Sequence, residues 1–248
     1  MNDLVLQDIS DTDGVLFSDY LDAIEPYLPG GATPAFQRVW VGTQVLPWGG
    51  SGDAYDTGIL DSDFRADNIA LAETAATSFV ADYPDVEFGW YITYEANLAG
   101  FTDNSIKTAY DTYLTGYMNA LNVVDPGHTY LWSPAIWTQY EDLPDPSGLA
   151  TNLSSCLRGL PSPLEITIQD GCGSGVGVKE SSAQWRTYLQ TAVGPETPVT
   201  LNAELFKIDG GVVTADLTEV KSRLAYYLAN GVPLGPAFEI RFWHDLFY

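Results

Sequence analysis

Seven short apolar or alternating runs, each bounded by turn residues and separated by stretches of helical periodicity, constrain this chain more than any other feature. That alternation is the rhythm of parallel strands covered by helices, and it predicts an α/β fold. Strands are expected over residues 4–7, 38–44, 87–95, 129–133, 164–169, 199–206 and 237–243. Apolar positions three and four apart predict helices over 65–83, 105–123, 181–193 and 215–230, with weaker patterns over 17–27 and 148–160. A chain of 248 residues fits one large (β/α)8 TIM barrel, a fold of about 250 residues, so residues 1–248 are read as a single catalytic-type domain. Seven strands do not close eight positions. The first run starts at the terminus, so the first strand and helix are expected to lie outside this sequence, leaving the barrel incomplete at its N-terminus. A doubly wound open sheet is the alternative, but no glycine-rich phosphate loop follows the first strand.

Period-two alternation then sorts the strand residues by face. Between Gly89 and Glu95 it sends Trp90, Ile92 and Tyr94 under the helices and points Tyr91, Thr93 and Glu95 inward. Along 200–204 it points Thr200, Asn202 and Glu204 inward, and along 164–169 it does the same for Glu165, Thr167 and Gln169. Glu95 and Glu204 therefore close their strands at the carboxyl end, the face on which barrel enzymes build their sites. Two such carboxyl groups are what glycoside hydrolysis requires, one to protonate the leaving oxygen and one to attack the sugar or activate water. The competing reading of each glutamate is a helix cap, or a partner for an inward arginine such as Arg241.

Composition narrows the chemistry further. Ten basic residues against 33 acidic ones, a formal charge of -23, argue against nucleic acid or an anionic membrane as partner and favour a neutral substrate. No apolar run approaches the roughly 18 residues of a spanning helix. His128 and His244 are the two histidines, too few for a histidine-rich metal site, and Cys156 and Cys172 have no zinc-type spacing. Carboxylates must carry the reaction, without a cofactor. The start has no signal-peptide pattern, and an upstream piece would be needed for secretion. Aromatic side chains make up 13% of the chain, and Trp48, Trp132, Trp137 and Trp243 fall at or beyond strand ends where sugar faces stack. Trp132 and Trp243 are taken as substrate-binding, Trp243 being the preferred platform. Gln7, Gln44, Tyr91, Gln169, Asp170 and Asn202 are the further substrate contacts, with Asp170 equally suited to holding its own turn.

Leu4-Val5-Leu6-Gln7, Phe88-Gly89-Trp90-Tyr91-Ile92 with Glu95, Ile168-Gln169-Asp170-Gly171 with Gly173, and Asn202 with Glu204-Leu205-Phe206 follow one another in this order along nearly the whole chain. In this combination the chain resembles a bacterial family of glycosidase-like barrels known chiefly as a domain of unknown function. More distantly it is similar to the clan of retaining glycosidases with glutamates after strands four and seven. The resemblance implies a TIM barrel with Glu95 as acid/base and Glu204 as nucleophile. Tyr94 stands where that clan usually has asparagine, a place that Asn202 or Asn97 would take. The resulting expectation is a retaining hydrolase of O-glycosidic bonds in a polysaccharide or oligosaccharide. The alternatives are a carbohydrate-binding barrel without turnover and a carboxylate metal site using Glu95, Asp170 and Glu204.

Overall fold

Strand β1 (Asp3–Leu6) pairs in parallel with β2 (Arg38–Gly42), Leu4 opposite Val39 and Leu6 opposite Val41. The computed structural model describes residues 3–143 and 145–236. The strand expected over 237–243, with Trp243 and Arg241, lies outside the described residues. β2 pairs in parallel with β3 (Gly89–Ile92), and β3 with β4 (Tyr130–Trp132). β5 (Leu164–Gln169) pairs in the same sense with β6 (Val199–Asn202). The helices are α1 (Ser18–Ile24), α2 (Ser62–Asp82), α3 (Asn104–Val124), α4 (Pro146–Leu157), α5 (Lys179–Val193) and α6 (Leu217–Ala229). Among the described residues, six parallel strands are each followed in the chain by one of these helices. This is an α/β fold with the pattern of an incomplete (β/α)8 barrel.

The residues group into two compact units. One holds the residues up to Glu95 with Asp103–Trp132 and Cys156–Leu164; the other holds Ala96–Thr102, Ser133–Ser155 and the residues from Glu165. In the first, α2 buries Phe64, Asn68, Leu71, Ala72, Ala75, Ala76 and Phe79, a stripe at three- and four-residue spacing. α3 buries a matching stripe from Ala109 to Leu121 that includes Tyr110, Tyr113 and Tyr117. Both helices begin on an aspartate cap, Asp61 accepting from the backbone N–H of Asp63 and Phe64, and Asp103 from Ser105. Such caps satisfy orphan amides and favour the helix dipole, so part of the chain's acidity is structural. The alternation read along β3 is present in space. Tyr91 joins Trp40 and Leu131 in one buried cluster, whereas Tyr94 lies among Phe64 of α2 and Tyr110 and Tyr113 of α3.

Two of the expected strands are shorter in space than in sequence. β3 ends at Ile92, opposite Trp132 at the end of β4 and one residue past Tyr91, the partner of Gly42 at the end of β2, so Glu95 stands three residues beyond it. β6 ends at Asn202, and Phe206 opens a separate antiparallel hairpin, β7 (Phe206–Ile208) and β8 (Val212–Thr214). Its turn is Asp209-Gly210-Gly211, with Gly210 at φ 65°. An Asp-Gly pair between β-branched residues is a hairpin signal that the strand reading passed over. After α6 the chain returns beside β6: Pro233 accepts from the N–H of Leu201 at 3.0 Å, and Gly235 donates to the Leu201 carbonyl at 2.8 Å. A Cβ at Gly235 would collide with the hydroxyls of Thr167 and Thr200, so only glycine allows this approach.

Candidate active site

Asp170 follows β5 directly and is 1% exposed. Its carboxylate accepts from the backbone N–H of Cys172 at 3.1 Å and of Glu204 at 3.2 Å, from Arg223 Nη1 at 3.0 Å, and from the Tyr227 hydroxyl at 3.0 Å. Arg223 and Tyr227 both come from α6, where they sit at three- and seven-residue spacing from the buried Val220. Burial pushes the Asp170 carboxyl up, and the Arg223 charge and the three other donors oppose it. Burial works against the Arg223 charge too, but Asp170 and its neighbours hold the guanidinium above its ordinary value. With both oxygens occupied, Asp170 fastens the ends of β5 and β6 to α6. The bond from the Cys172 N–H is the contact that the turn-holding role, weighed equally for Asp170, calls for.

Glu204 lies two residues beyond β6 and is 3% exposed. Arg223 Nη2 donates to its backbone carbonyl at 2.6 Å, so Arg223 anchors the residue through the main chain. The side-chain carboxylate accepts from the Ser174 N–H at 2.8 Å, with the Ser174 hydroxyl 3.5 Å from its other oxygen. Ser174 belongs to the loop Gly171-Cys172-Gly173-Ser174-Gly175, which folds onto the glutamate. A Cβ on Gly173 would lie 2.9 Å from the Glu204 Cβ and would collide with the Phe206 carbonyl, so glycine is what lets the loop close here. Burial raises the Glu204 carboxyl above its ordinary value, with Asp170 adding to the rise; the amides of Ser174 and Gly173 and the Ser174 hydroxyl oppose it. In the same unit Asn202 donates to the Ser133 hydroxyl at 3.3 Å, and Gln169 to the Ser133 carbonyl at 3.1 Å. The structure brings Gln169, Asp170, Asn202 and Glu204 together at the carboxyl ends of β5 and β6.

Glu95 belongs to the first unit and is half-buried. The Tyr110 hydroxyl donates to the carbonyls of both Tyr55 (3.0 Å) and Glu95 (3.3 Å). The Tyr94 hydroxyl donates to the Ala54 carbonyl. Two phenols, Tyr110 of α3 and Tyr94 after β3, thus pin the β2–α2 loop. Burial raises the Tyr55 phenol, and the negative charges of Glu95 and Asp53 raise it further, which puts Tyr55 within electrostatic reach of Glu95. Tyr94 points to the helices, so the residue before Glu95 does not share its face.

The other expected contacts divide. Tyr91 is 4% exposed and packs against Trp40 and Leu131. Trp132 is fully buried, its indole N–H donating to the Tyr94 carbonyl at 3.1 Å and its ring beside Tyr110, so it offers no open face to a sugar. The half-buried Gln7 accepts from the Thr93 hydroxyl through its backbone carbonyl, and Gln44 donates to the Val45 carbonyl at 3.3 Å. The Asn97 side chain accepts from the N–H of Ala99. Burial lifts the Cys172 thiol to about 12, so it is no nucleophile near neutral pH. Sequence reasoning missed Ser174, Arg223, Tyr227 and Tyr110. Of these, Arg223 left a trace: it is a charge inside the apolar stripe of a helix, and a buried charge requires a partner. Among the described residues no group of three or more His, Cys, Asp or Glu side chains is placed to hold a metal ion. No described helix is long and apolar enough to cross a membrane.

No protein-family model matches the chain, and no curated protein matches it in sequence. Solved structures do match. One, from Bacteroides thetaiotaomicron VPI-5482 and described as a candidate α-L-fucosidase, is similar with a TM-score of 0.66 at 15% identity, over 96% of this chain and 76% of that one. At this identity the likeness is one of fold, and it agrees with the incomplete (β/α)8 barrel described above.

Proposed function

We propose that this chain hydrolyses O-glycosidic bonds, with Glu204 and Glu95 as its two working carboxyl groups within one domain. The observation that carries the reading is Glu204: a buried carboxyl at the carboxyl end of a parallel strand, fixed by one loop through its oxygens and by Arg223 through its backbone. Glu95 follows β3 as Glu204 follows β6, three strands apart in chain order, the interval between strands four and seven in the clan that the sequence resembles. A carboxyl raised by burial holds a proton at higher pH, which is the property of the acid/base. We therefore assign that role to Glu204 and the nucleophile to Glu95, the reverse of the assignment taken from the resemblance. Gln169 and Asn202 would meet sugar hydroxyls beside Glu204.

The likeness to the candidate α-L-fucosidase puts α-L-fucosides first among substrates to try, followed by other aryl glycosides and neutral polysaccharides. The test is release of product by the purified protein, compared with Glu95→Gln and Glu204→Gln. Hydrolysis that survives both substitutions would sink the assignment. One observation favours the second reading, a carbohydrate-binding barrel without turnover: the Glu204 carboxylate is already engaged by Ser174 and almost wholly shielded. Binding of a glycan panel without cleavage of any member would establish that reading instead.

A further inference from the structure

Away from Glu204, the second unit carries a groove of about 620 Å³ along α5, a size typical of small-molecule sites. Glu180, Ala183, Gln184, Thr187, Tyr188 and Thr191 line it. Their spacing, 0, 3, 4, 7, 8 and 11, makes them one face of the helix. The opposite face buries Ser182, Trp185 and Leu189, while on the groove face Ala183 forms the buried floor and Gln184 and Thr187 are exposed. Across the groove stand Tyr226 and Asn230 of α6, and Tyr140 closes one part of it.

The chemistry of this lining is specific. Tyr140, Tyr188 and Tyr226 are half-buried, and Tyr140 is braced edge-on by Trp185 at 4.8 Å and by Tyr188 at 5.4 Å. Rings held this way give up little freedom on binding. The hydroxyls of Thr187 and Thr191 donate to their own helix, to the carbonyls of Ala183 and Thr187, and the Asn230 amide N–H donates to the Tyr226 carbonyl. The threonine oxygens remain as acceptors, Glu180 adds a carboxylate, and the amides of Gln184 and Asn230 and the tyrosine hydroxyls both donate and accept, the mixed pairing that sugar hydroxyls use. Lys179 stands at the edge of the groove, but its ammonium is engaged within the protein, 3.8 Å from the Glu180 carboxylate and 5.6 Å from the Tyr226 ring, which leaves the other face of that ring for a sugar. The lining itself holds neither Lys nor Arg and the chain carries a net charge of -23, so a phosphate or a uronate is disfavoured. It also contains no Leu, Ile, Phe or Met, the residues that seat an amphipathic helix. Hydroxyl donors and apolar C–H faces on one uncharged molecule complement it.

We infer that the α5–α6 groove is a second, non-catalytic site for a neutral oligosaccharide, holding its sugar faces on Tyr188 and Tyr226. The inference does not depend on turnover at Glu204. The probes are cellotriose, xylotriose, maltotriose and mannotriose, with trigalacturonate as the anionic comparison, read by NMR titration of the full chain. At least one neutral trisaccharide should bind with a Kd on the order of 1 mM. Tyr188→Ala and Tyr226→Ala should each weaken it at least about tenfold, an effect in line with the loss of an aromatic contact. Thr187→Arg, a change at an exposed position that leaves the core untouched, should block the groove even if a tyrosine variant folds poorly. Glu204→Gln should bind as the unaltered chain does. Failure of every neutral trisaccharide at concentrations on the order of 10 mM, binding indifferent to Thr187→Arg, or equal binding of trigalacturonate would each overturn the inference.

Discussion

Arg223 Nη1 lies 3.0 Å from Asp170 Oδ2, and both side chains are almost completely buried. This pair is the hinge pin of the second unit, because the same guanidinium holds the Glu204 carbonyl and the same carboxylate holds the Glu204 N–H.

Removing one partner leaves the other as an uncompensated buried charge. Arg223→Met and Asp170→Asn should each destabilise the chain by about 3–5 kcal/mol, measured by urea unfolding. A loss below about 1 kcal/mol, the range of a surface ion pair, would show that the pair is not the support described.

Glu204 links stability to pH. Its folded-state carboxyl is raised above the ordinary value of 4.5, so between the unfolded and folded values the folded chain binds more protons than the unfolded one. The stability that this group contributes is complete below the unfolded value and is lost as pH rises through the folded one. Glu204→Gln keeps an acceptor for the Ser174 N–H and carries no charge. Its melting temperature relative to the unaltered chain should therefore rise as the pH is raised above 4.5; a constant difference would remove the burial effect.

The two glutamates should also separate kinetically. With Glu204 as acid/base, Glu204→Gln should lose about 10²–10⁴-fold on substrates with poor leaving groups and much less on dinitrophenyl glycosides, whose leaving group needs no proton. Glu95→Gln should be inactive on both. The product should retain its anomeric configuration, followed by NMR at early times. The opposite pattern of losses would restore Glu95 as acid/base, and inversion would require a water molecule in place of the nucleophile.

The Tyr110 hydroxyl serves two carbonyls at once. Tyr110→Phe preserves the ring and removes the hydroxyl from both carbonyls, so the expected cost is about 1–3 kcal/mol. Faster amide exchange should be confined to the loop around 53–58. Unchanged exchange there would mean that the loop is held by other contacts.

What the sequence by itself determined is whatever repeats locally. Periods of two and of three to four residues placed the parallel strands and the helices, because a strand or helix buries one face and the pattern of that burial is written in neighbouring residues. The same period put Tyr91 on one face of the 89–95 run and Tyr94 on the other, and it placed Glu95 and Glu204 at the carboxyl ends of strands that the structure closes three and two residues earlier. The tertiary structure decided which side chains meet. Pairing stopped β3 at Ile92, because a strand lasts only as long as its neighbours. Trp132, which a strand-end position made a stacking surface, became core once the layer of α3 covered it. Arg223 found Asp170 across 53 residues of chain, and Ser174 found Glu204 across 30. No period joins positions so far apart; a buried charge takes whichever partner the fold carries to it, and that is settled only when the helix closes over the strands.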